Sequence, residues 1–350
     1  MINEPSDASI VVCAYTEARW ASLCAAVESL RRQEPPPLEM IVVSDHNPHL
    51  NERVRRERPG VIAIENDGPR GLSGARTTGI AAARGRLIAF MDDDAEAEPD
   101  WLALLVRRCG DPRVLGVSGT AEPMWLASRP RWFPQEFYWV LGCSYRGLPE
   151  TTADVRNLFG GCSCIKREVF EKVGGFRSGI GRVGTHPLGG EETELCIRAR
   201  QHWPHSTFLF EPRATIHHQV PANRVGLKYF CLRCFWEGFS KAVIASYVGT
   251  HYGLASERAF TLRTLPRGAV RGLADTVRRG DPAGILRAGA IVAGLAVTTS
   301  GYVAGTILRR LPGRMAGTGR MPHRRQARML VPLQRKKTCP GMRAKSQPKA

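Results

Sequence analysis

Asp92, Asp93 and Asp94 follow directly on the apolar run Leu87-Ile88-Ala89-Phe90-Met91. A buried strand that stops in clustered carboxylates delivers negative charge to the carboxyl edge of a sheet, where open α/β sheets bind their ligands. Carboxylates this close repel one another unless a cation or a set of donors holds them. Hard oxygen ligands suit Mg²⁺ or Mn²⁺, and those ions suit phosphate-bearing substrates. The plainer alternative is an acidic loop ahead of a helix that starts at Asp100-Trp101-Leu102. A second acidic group, Gly189-Gly190-Glu191-Glu192-Thr193-Glu194, runs into Leu195-Cys196-Ile197-Arg198. Paired glycines let backbone approach a ligand. The amino end of a helix keeps carboxylates ionised, as a general base requires. An ordinary acidic first turn is the alternative here. In either case Leu195 and Ala199 face inward, and Arg198 sits on the Glu194 face at i to i+4 spacing.

The elements that position these groups follow from periodicity. Short apolar runs at Ser9–Ala14, Met40–Ser44, Val61–Glu65, Leu87–Met91 and Val114–Gly119 alternate with helical patterns at Trp20–Arg32 and Gly74–Ala83. That alternation predicts βα units and an α/β fold with a mostly parallel sheet flanked by helices. Right-handed crossovers bring the loops after successive strands to one edge. Those loops hold Tyr15 to Glu17, Asp45, Asn66 to Arg76 and the aspartate run. Polar loops meeting at one crevice predict a nucleotide site.

The rest of the chain bounds the class. Of its 350 residues, 50 are Lys or Arg and 32 are Asp or Glu, a net charge of +18. Thirteen of the basic residues and no acid lie in 309–350, which leaves 37 against 32, or +5, before them. The basicity thus belongs to a Pro/Gly/Arg-rich tail, 311–350, expected to be disordered. Residues 1–220 are expected to form the domain that holds this crevice and 221–310 a helical region able to associate with a membrane. Within the latter, Val225–Val248 mixes aromatics with Lys228, Arg233 and Lys241 in the manner of an interfacial helix. Ala288–Leu308 carries no charge and is long enough to span a bilayer, although its Ala, Gly, Val and Thr content is only weakly apolar. Gly301 and Gly305 would allow close helix approach. The aromatic stretch 122–160 fits either an acceptor site or a loop packed on the sheet. The ten cysteines include several in apolar patterns, and the polar start Met1 to Ala8 does not read as a signal peptide. Free thiols and a cytoplasmic location are expected. Cys231 and Cys234 lack a second pair for a structural zinc.

Five segments, in order, resemble the family 2 glycosyltransferases of GT-A fold, inverting enzymes that use nucleotide sugars. They are Ser9-Ile-Val-Val-Cys-Ala-Tyr-Thr-Glu17, Met40-Ile-Val-Val-Ser-Asp45, Gly74-Ala-Arg-Thr-Thr-Gly79, Phe90-Met-Asp-Asp-Asp94 and Gly190-Glu-Glu-Thr-Glu-Leu195. The resemblance covers roughly residues 8–220 and implies a GT-A, Rossmann-like fold. It implies nucleotide-sugar contacts at Ala14, Tyr15, Glu17, Asp45, Arg76, Asp92 and Asp93. Among these Tyr15, Glu17 and Asp45 hold the nucleoside, taken as uridine, and Arg76 approaches the diphosphate. Asp92 and Asp94 become the family's Asp-x-Asp pair on Mg²⁺ or Mn²⁺, with His218 as a further ligand; His217 is read instead as a histidine hydrogen-bonded at a strand end. Glu192 falls where the family has its catalytic aspartate, and Glu191 competes for that role. Asn157–Arg167, Phe170 and Gly174-Gly175-Phe176 resemble the segment that shapes the sugar and acceptor side. Two departures stand out: Thr77 where Asn is usual, and Glu for Asp at 192.

The implied reaction is direct displacement, in which a sugar passes from a UDP-sugar to a lipid-linked or polysaccharide acceptor at the cytoplasmic face of a membrane. Two other readings compete. One is a catalytically silent GT-A scaffold, which Thr77 and Glu192 keep open. The other is a nucleic-acid-binding protein driven by the basic tail, against which the body lacks interleaved basic and aromatic motifs.

Overall fold

The computed structural model describes residues 6–182, 188–249 and 255–310. Strands β1 (Ala8–Ala14), β2 (Glu39–Ser44), β3 (Ile62–Glu65) and β4 (Leu87–Asp92) are parallel and lie in the order β3-β2-β1-β4. Helices α1 (Trp20–Arg31), α2 (Pro48–Glu57) and α3 (Leu72–Ala82) connect them. β1 and β4 are apolar almost throughout because parallel strands covered on both faces have no solvent side. Leu23, Ala26, Val27 and Leu30 of α1 pack with Trp101 and Leu105 on one face. On the other, Ala75 and Ile80 of α3 pack with Phe90, Phe170 and Phe176. Burying a Leu or Phe side chain of this kind is worth about 1.5–3 kcal/mol. Gly79 lets α3 come down on β1: a Cβ there would stand 2.4 Å from Val11 Cγ1.

Beyond β4 the sheet is mixed, a departure from the mostly parallel sheet expected. It continues β4-β8-β6-β9-β5, with β7 paired to β9. β8 (Cys162–Lys166) inserts antiparallel between β4 and β6 (Val114–Trp125). β9 (Thr207–Val220) runs parallel to β6, and β5 (Ala95–Ala97) and β7 (Ala153–Val155) run antiparallel to it. β6 is much longer than the apolar run Val114–Gly119. The β6–β9 register shifts between Ser118 and Thr120, where a Cβ on Gly119 would lie 1.9 Å from the Ala214 carbonyl oxygen. The bulge lets one long strand pair serve two regions of the sheet. Helix α4 (Trp101–Cys109) begins at the expected Asp100-Trp101, although Asp100 makes no side-chain cap bond. Helices α5 (Arg167–Val173) and α6 (Glu191–His202) complete this half.

After β9 the chain is helical. α7 (Leu227–Val248) starts two residues later than expected, and is followed by Ala255–Ala259, a π-helical turn at Phe260–Thr264, Leu265–Arg279 and Ala283–Arg310. The last helix packs along α7 at glycines, as Gly301 and Gly305 suggested. A Cβ on Gly238 would stand 1.8 Å from Thr298 O, and one on Gly301 1.9 Å from Phe235 O. The aromatic stretch 122–160 lies beneath these helices. Phe133, Phe137 and Tyr138 form a core with Phe230, Leu265 and Ile291. Phe230 meets the rings of Phe133 and Phe137 with centroids 5.3 Å away in each case. The described cysteines are free thiols, Cys231 and Cys234 included. The tail expected to be disordered, 311–350, lies outside the described residues.

Candidate active site

Chain topology brings the charged groups together in one cavity of about 990 Å³. β4 ends in Asp92, and a turn through Asp93 and Asp94 enters β5, whose Ala95 pairs with His218 of β9. That pairing sets His218 against Asp94, with Nε2 3.2 Å from Oδ1 and 3.9 Å from Asp92 Oδ2. Asp92, Asp94 and His218 each offer one ligand atom within 4.8 Å of the others, a spacing and donor set that a divalent cation fits. His218 Nδ1 and Asp93 Oδ2 are buried without hydrogen-bond partners. Gly142, with φ +85°, closes over the imidazole; a Cβ there would be 3.2 Å from His218 Nε2. His217 faces the other way and bonds Glu98 Oε1 at 2.6 Å, as its reading at a strand end anticipated.

The three aspartates differ in their surroundings. Asp92 is a third exposed and faces Arg76 Nη2 at 3.6 Å. Asp93 meets Arg19 Nη1 at 2.8 Å. Burial, and then the Asp94 charge beside it, raise its pKa to about 7. Asp94 contacts Arg19 Nη1 at 3.2 Å and Arg224 Nη2 at 3.3 Å. Burial opposes its ionisation, but His218, Arg19 and Arg224 hold its pKa far below the usual carboxylate range. Burial likewise opposes the charge on His218, yet Asp94 pushes its pKa up to about 10.

The acidic pair opens α6 after Gly190, whose φ is +92°. Arg76, on α3 and 3% exposed, reaches across from the other side. Its Nη1 donates to Glu192 Oε1 at 3.0 Å and to Glu191 Oε1 at 3.2 Å. Arg76 is held from beneath by Phe90 and Phe176, whose ring centroids lie 5.8 and 5.4 Å from its guanidinium carbon. Glu191 is buried; burial and then the neighbouring Glu192 raise its pKa to about 7. Glu192 is the more exposed of the two, with a side chain 20% accessible. Glu194 turns away, and Arg198 donates to both its oxygens, at 3.0 and 2.8 Å, on the face expected. Leu195 and Ala199 are fully buried, as their spacing required.

Asp45 accepts from Asn66 Nδ2 at 2.7 Å and from the Gly71 amide at 2.9 Å, which ties the β2 and β3 loops together. Ala14, Tyr15, Asp45, Arg76, Asp92, Asp93, Asp94, Glu191, Glu192 and His218 all line the cavity. Glu17 does not: it heads a short helical turn and pairs with Arg53 at 3.3 Å. Thr77 bonds the Ser73 carbonyl at 2.8 Å and lies under Gly175, so a larger side chain there would crowd that glycine.

Several lining residues escaped the sequence. Gly160 and Gly161 form the floor and fall in the segment Asn157–Arg167 that the resemblance did mark, though not for this contact: a Cβ on the first would stand 1.6 Å from Glu192 Oε1, and one on the second 2.2 Å from Asp92 Oδ2. Arg19 and Arg224 flank the aspartates, and neither sits in an acidic motif that would mark it. The helical region supplies a whole wall, including Tyr229, Arg233, Glu237, Lys241, Thr298 and Tyr302. Phe137, Trp139 and Tyr145 also reach the cavity, so the aromatic stretch is core and lining at once.

Comparison with known proteins gives this geometry a lineage. Residues 9–174 match the family model described as glycosyl transferase family 2. A glucosyl-dolichyl phosphate glucuronosyltransferase of Haloferax volcanii is 37% identical over 240 residues, covering 67% of this chain and 76% of that protein. The chain belongs to glycosyltransferase family 2. The succinoglycan biosynthesis protein ExoM of Rhizobium meliloti is 26% identical over 269 residues, covering 75% of this chain and 80% of the relative. The mannosyltransferase PcManGT of Pyrobaculum calidifontis, solved with GDP-Man and Mn²⁺, shares the GT-A fold. Its TM-score is 0.53 at 19% identity, over 88% of each chain. This family 2 member is therefore a glycosyltransferase built on a GT-A sheet, with an acidic group suited to a metal ion at its centre.

Proposed function

We propose that this glycosyltransferase is an inverting, metal-dependent enzyme that moves a sugar from a UDP-sugar to a hydroxyl of a lipid-linked acceptor. One observation carries the reading. The Asp92, Asp94 and His218 group and the Glu192 carboxylate face one cavity, joined through the Arg76 guanidinium. Mn²⁺ or Mg²⁺ held by Asp92, Asp94 and His218 would supply neutralisation of charge on the departing diphosphate. PcManGT, of the same fold, was solved with Mn²⁺, which supports that choice of ion.

The chain's own residues do the rest. Tyr15 and Asp45 stand at the nucleoside end of the cavity, and uridine is taken from the family resemblance. Glu192 takes the proton from the attacking hydroxyl as the acceptor oxygen bonds to the anomeric carbon from the face opposite the leaving diphosphate. Arg76 fixes that carboxylate. Glu191, buried behind it, orients Arg76 in turn.

The acceptor assignment draws on the Haloferax relative, whose name specifies a glucosyl-dolichyl phosphate, and on the outer surface of the helical region. Among the described residues, Ala283–Leu308 is the helix long and apolar enough to cross a bilayer. Its inner face, with Leu295, Thr298 and Tyr302, is a cavity wall, and its glycines interlock with α7. We therefore infer that it lies along the membrane surface rather than across it. Its Ile285, Val292, Val303 and Ile307 are exposed, as are Leu262, Val270, Leu273 and Val277 of the preceding helices. Exposed Arg263, Arg267, Arg271, Arg278 and Arg279 add the charge that anionic headgroups attract. This arrangement fits the cytoplasmic face of a membrane.

The experiment is a calorimetric titration of UDP into the full chain with Mn²⁺, then with EDTA, with GDP as comparison. Metal-dependent UDP binding supports the reading and opens a donor screen. A folded protein that binds neither nucleotide is instead a silent scaffold.

A further inference from the structure

β2 and β3 run parallel with Ser44 opposite Glu65, so the residues that leave the two strands, Asp45 and Asn66, stand side by side. The main-chain amide of Asn66 bonds the Ser44 carbonyl at 2.9 Å, which fixes that juxtaposition. Asp45 lines the cavity; Asn66 does not, and is only 2% exposed. The Asn66 side chain is fully engaged. Its Nδ2 donates to Asp45 Oδ1 at 2.7 Å and to the Pro69 carbonyl at 3.0 Å. Its Oδ1 accepts from the Gly68 amide at 3.0 Å and from Thr78 Oγ1 at 2.9 Å.

The neighbours dictate the direction of these bonds. A main-chain amide only donates and a carbonyl only accepts, so the Asn66 side chain has one orientation open to it, with its NH₂ toward Asp45. Asp45 takes a second donor at Oδ2, the Gly71 amide at 2.9 Å. Each oxygen of the carboxylate is thus tied once by the protein, and what it has left for a ligand is acceptor capacity. The frame around the pair is tight. A Cβ on Gly74, in the first turn of α3, would stand 1.7 Å from the Pro69 carbonyl oxygen and 3.2 Å from Asn66 Nδ2. Beyond Asp45 the chain turns through His46, at φ +49°, whose Nε2 bonds the Gly68 carbonyl at 3.0 Å.

We propose that Asn66 is the positioning residue for base selection: it holds Asp45 as an oriented acceptor, so that the site takes a base presenting a ring N–H and rejects one presenting a bare ring nitrogen. The inference rests on the proposed reading of the cavity as the nucleotide site, with Asp45 at its nucleoside end. Among pyrimidines the contrast is uracil, which donates from N3, against cytosine, whose N3 lone pair would face the carboxylate as a second acceptor. Polar groups left unmatched in this way are what makes such recognition selective. Guanine also carries a ring N–H. Comparing UDP with GDP therefore reports the size of the base, whereas comparing UDP with CDP reports the carboxylate.

The test is calorimetry of UDP and CDP on the full chain with Mn²⁺. Wild type should bind UDP at least about tenfold more tightly than CDP. Asn66→Asp keeps the size of the side chain and its bonds from Gly68 and Thr78, but replaces the NH₂ with an oxygen that repels Asp45 or shares a proton with it. It should cut the UDP:CDP affinity ratio at least about fivefold. Asp45→Asn, which offers an amide donor to the base, should lower the ratio as far or further. A purely structural role for Asn66 gives equal losses for the two nucleotides with the ratio unchanged, and that result overturns the proposal. If Asn66→Asp does not fold, Thr78→Val removes one bond to the Asn66 oxygen and is read by the same ratio. A fall of about twofold or more then supports the positioning role, and an unchanged ratio overturns it. A wild-type chain that binds UDP and CDP equally removes base selection while the nucleotide site stands. A folded wild-type chain that binds neither removes the nucleotide site itself.

Discussion

Arg76 Nη1 lies 3.0 Å from Glu192 Oε1, while Nη2 of the same guanidinium faces Asp92 Oδ1 at 3.6 Å. One buried arginine therefore fixes the distance between the acidic pair of α6 and the carboxylate that ends β4. Position and charge at the two ends of the proposed reaction are set by a single rigid fork, seated on Phe90 and Phe176.

Glu192→Gln should lower kcat by about 10²–10⁴, the usual contribution of a positioned base, with UDP affinity changed far less. Glu191→Gln should have the smaller effect on kcat, since its carboxylate is buried behind Arg76. Steady-state kinetics beside a UDP titration checks this. Similar losses in turnover and UDP affinity for Glu192→Gln would remove it as base.

Asp94→Ala should abolish the Mn²⁺ dependence of UDP binding and nearly all turnover. Because Asp94 balances Arg19, Arg224 and His218, some loss of stability is expected too, and Asp94→Asn keeps the packing for comparison. A variant that still binds UDP only with metal, and turns over near the normal rate, would sink the metal assignment.

Gly160→Ala should depress kcat by more than about tenfold, since displacing a reacting group by about an ångström is costly. The added methyl would stand 1.6 Å from Glu192 Oε1 and push the carboxylate aside. Gly289→Ala, where nothing lies within 4 Å of the new methyl, is the matched control. Equal activity in the two variants would show that Glu192 does not need its observed position.

Acid should loosen the wall that α7 shares with the Glu257 turn. Burial opposes ionisation of Glu257, but Lys241 and Arg156 bring its pKa from 4.5 down to about 2 in the folded chain. A carboxylate depressed in the folded state contributes stability above its unfolded pKa and loses it as pH falls toward the folded one. The window is thus pH 4.5 to 2, and the term amounts to roughly 3 kcal/mol at most. Glu257→Gln should be less stable than wild type at pH 7 and nearly equal to it near pH 2 by chemical denaturation. A constant gap across that range would contradict the account.

Binding of the full chain to vesicles containing phosphatidylglycerol should exceed binding to phosphatidylcholine alone. Leu273→Glu combined with Val277→Glu, both exposed positions, should reduce flotation with the vesicles at least fivefold while leaving the melting temperature within about 2 °C. Unchanged flotation would move the membrane contact elsewhere on the chain.

Much of the βα half was legible because its periodicity is local. β1 to β4, α1 and α3 appeared within one or two residues of their expected bounds, since each apolar run answers to a buried strand or a helix face. The mixed far half was not. β5 and β7 are three residues long and too short for any period, and the antiparallel insertion of β8 depends on pairing partners 45 to 79 residues away. Acidic clusters advertised Asp92 to Asp94 and Glu191 to Glu192. Arg19 and Arg224 carried no such signal, because their importance lies in what stands across the cavity. Glu17 illustrates the reverse case: it lies two residues after Tyr15, yet its side chain turns to Arg53.

The helix Ala283–Arg310 has its inner face in the cavity and its outer face apolar, so its own thickness becomes a gauge. With the outer face resting on headgroups, as proposed, the cavity wall stands about one helix diameter, ~10–12 Å, above the bilayer, and the reacting centre farther out. A hydroxyl attached directly at the lipid's polar end would fall short of Glu192, and one several sugars farther out would overshoot it. The body of the enzyme would then count residues from the membrane, choosing which sugar of a growing chain receives the next one without having to recognise the lipid at all.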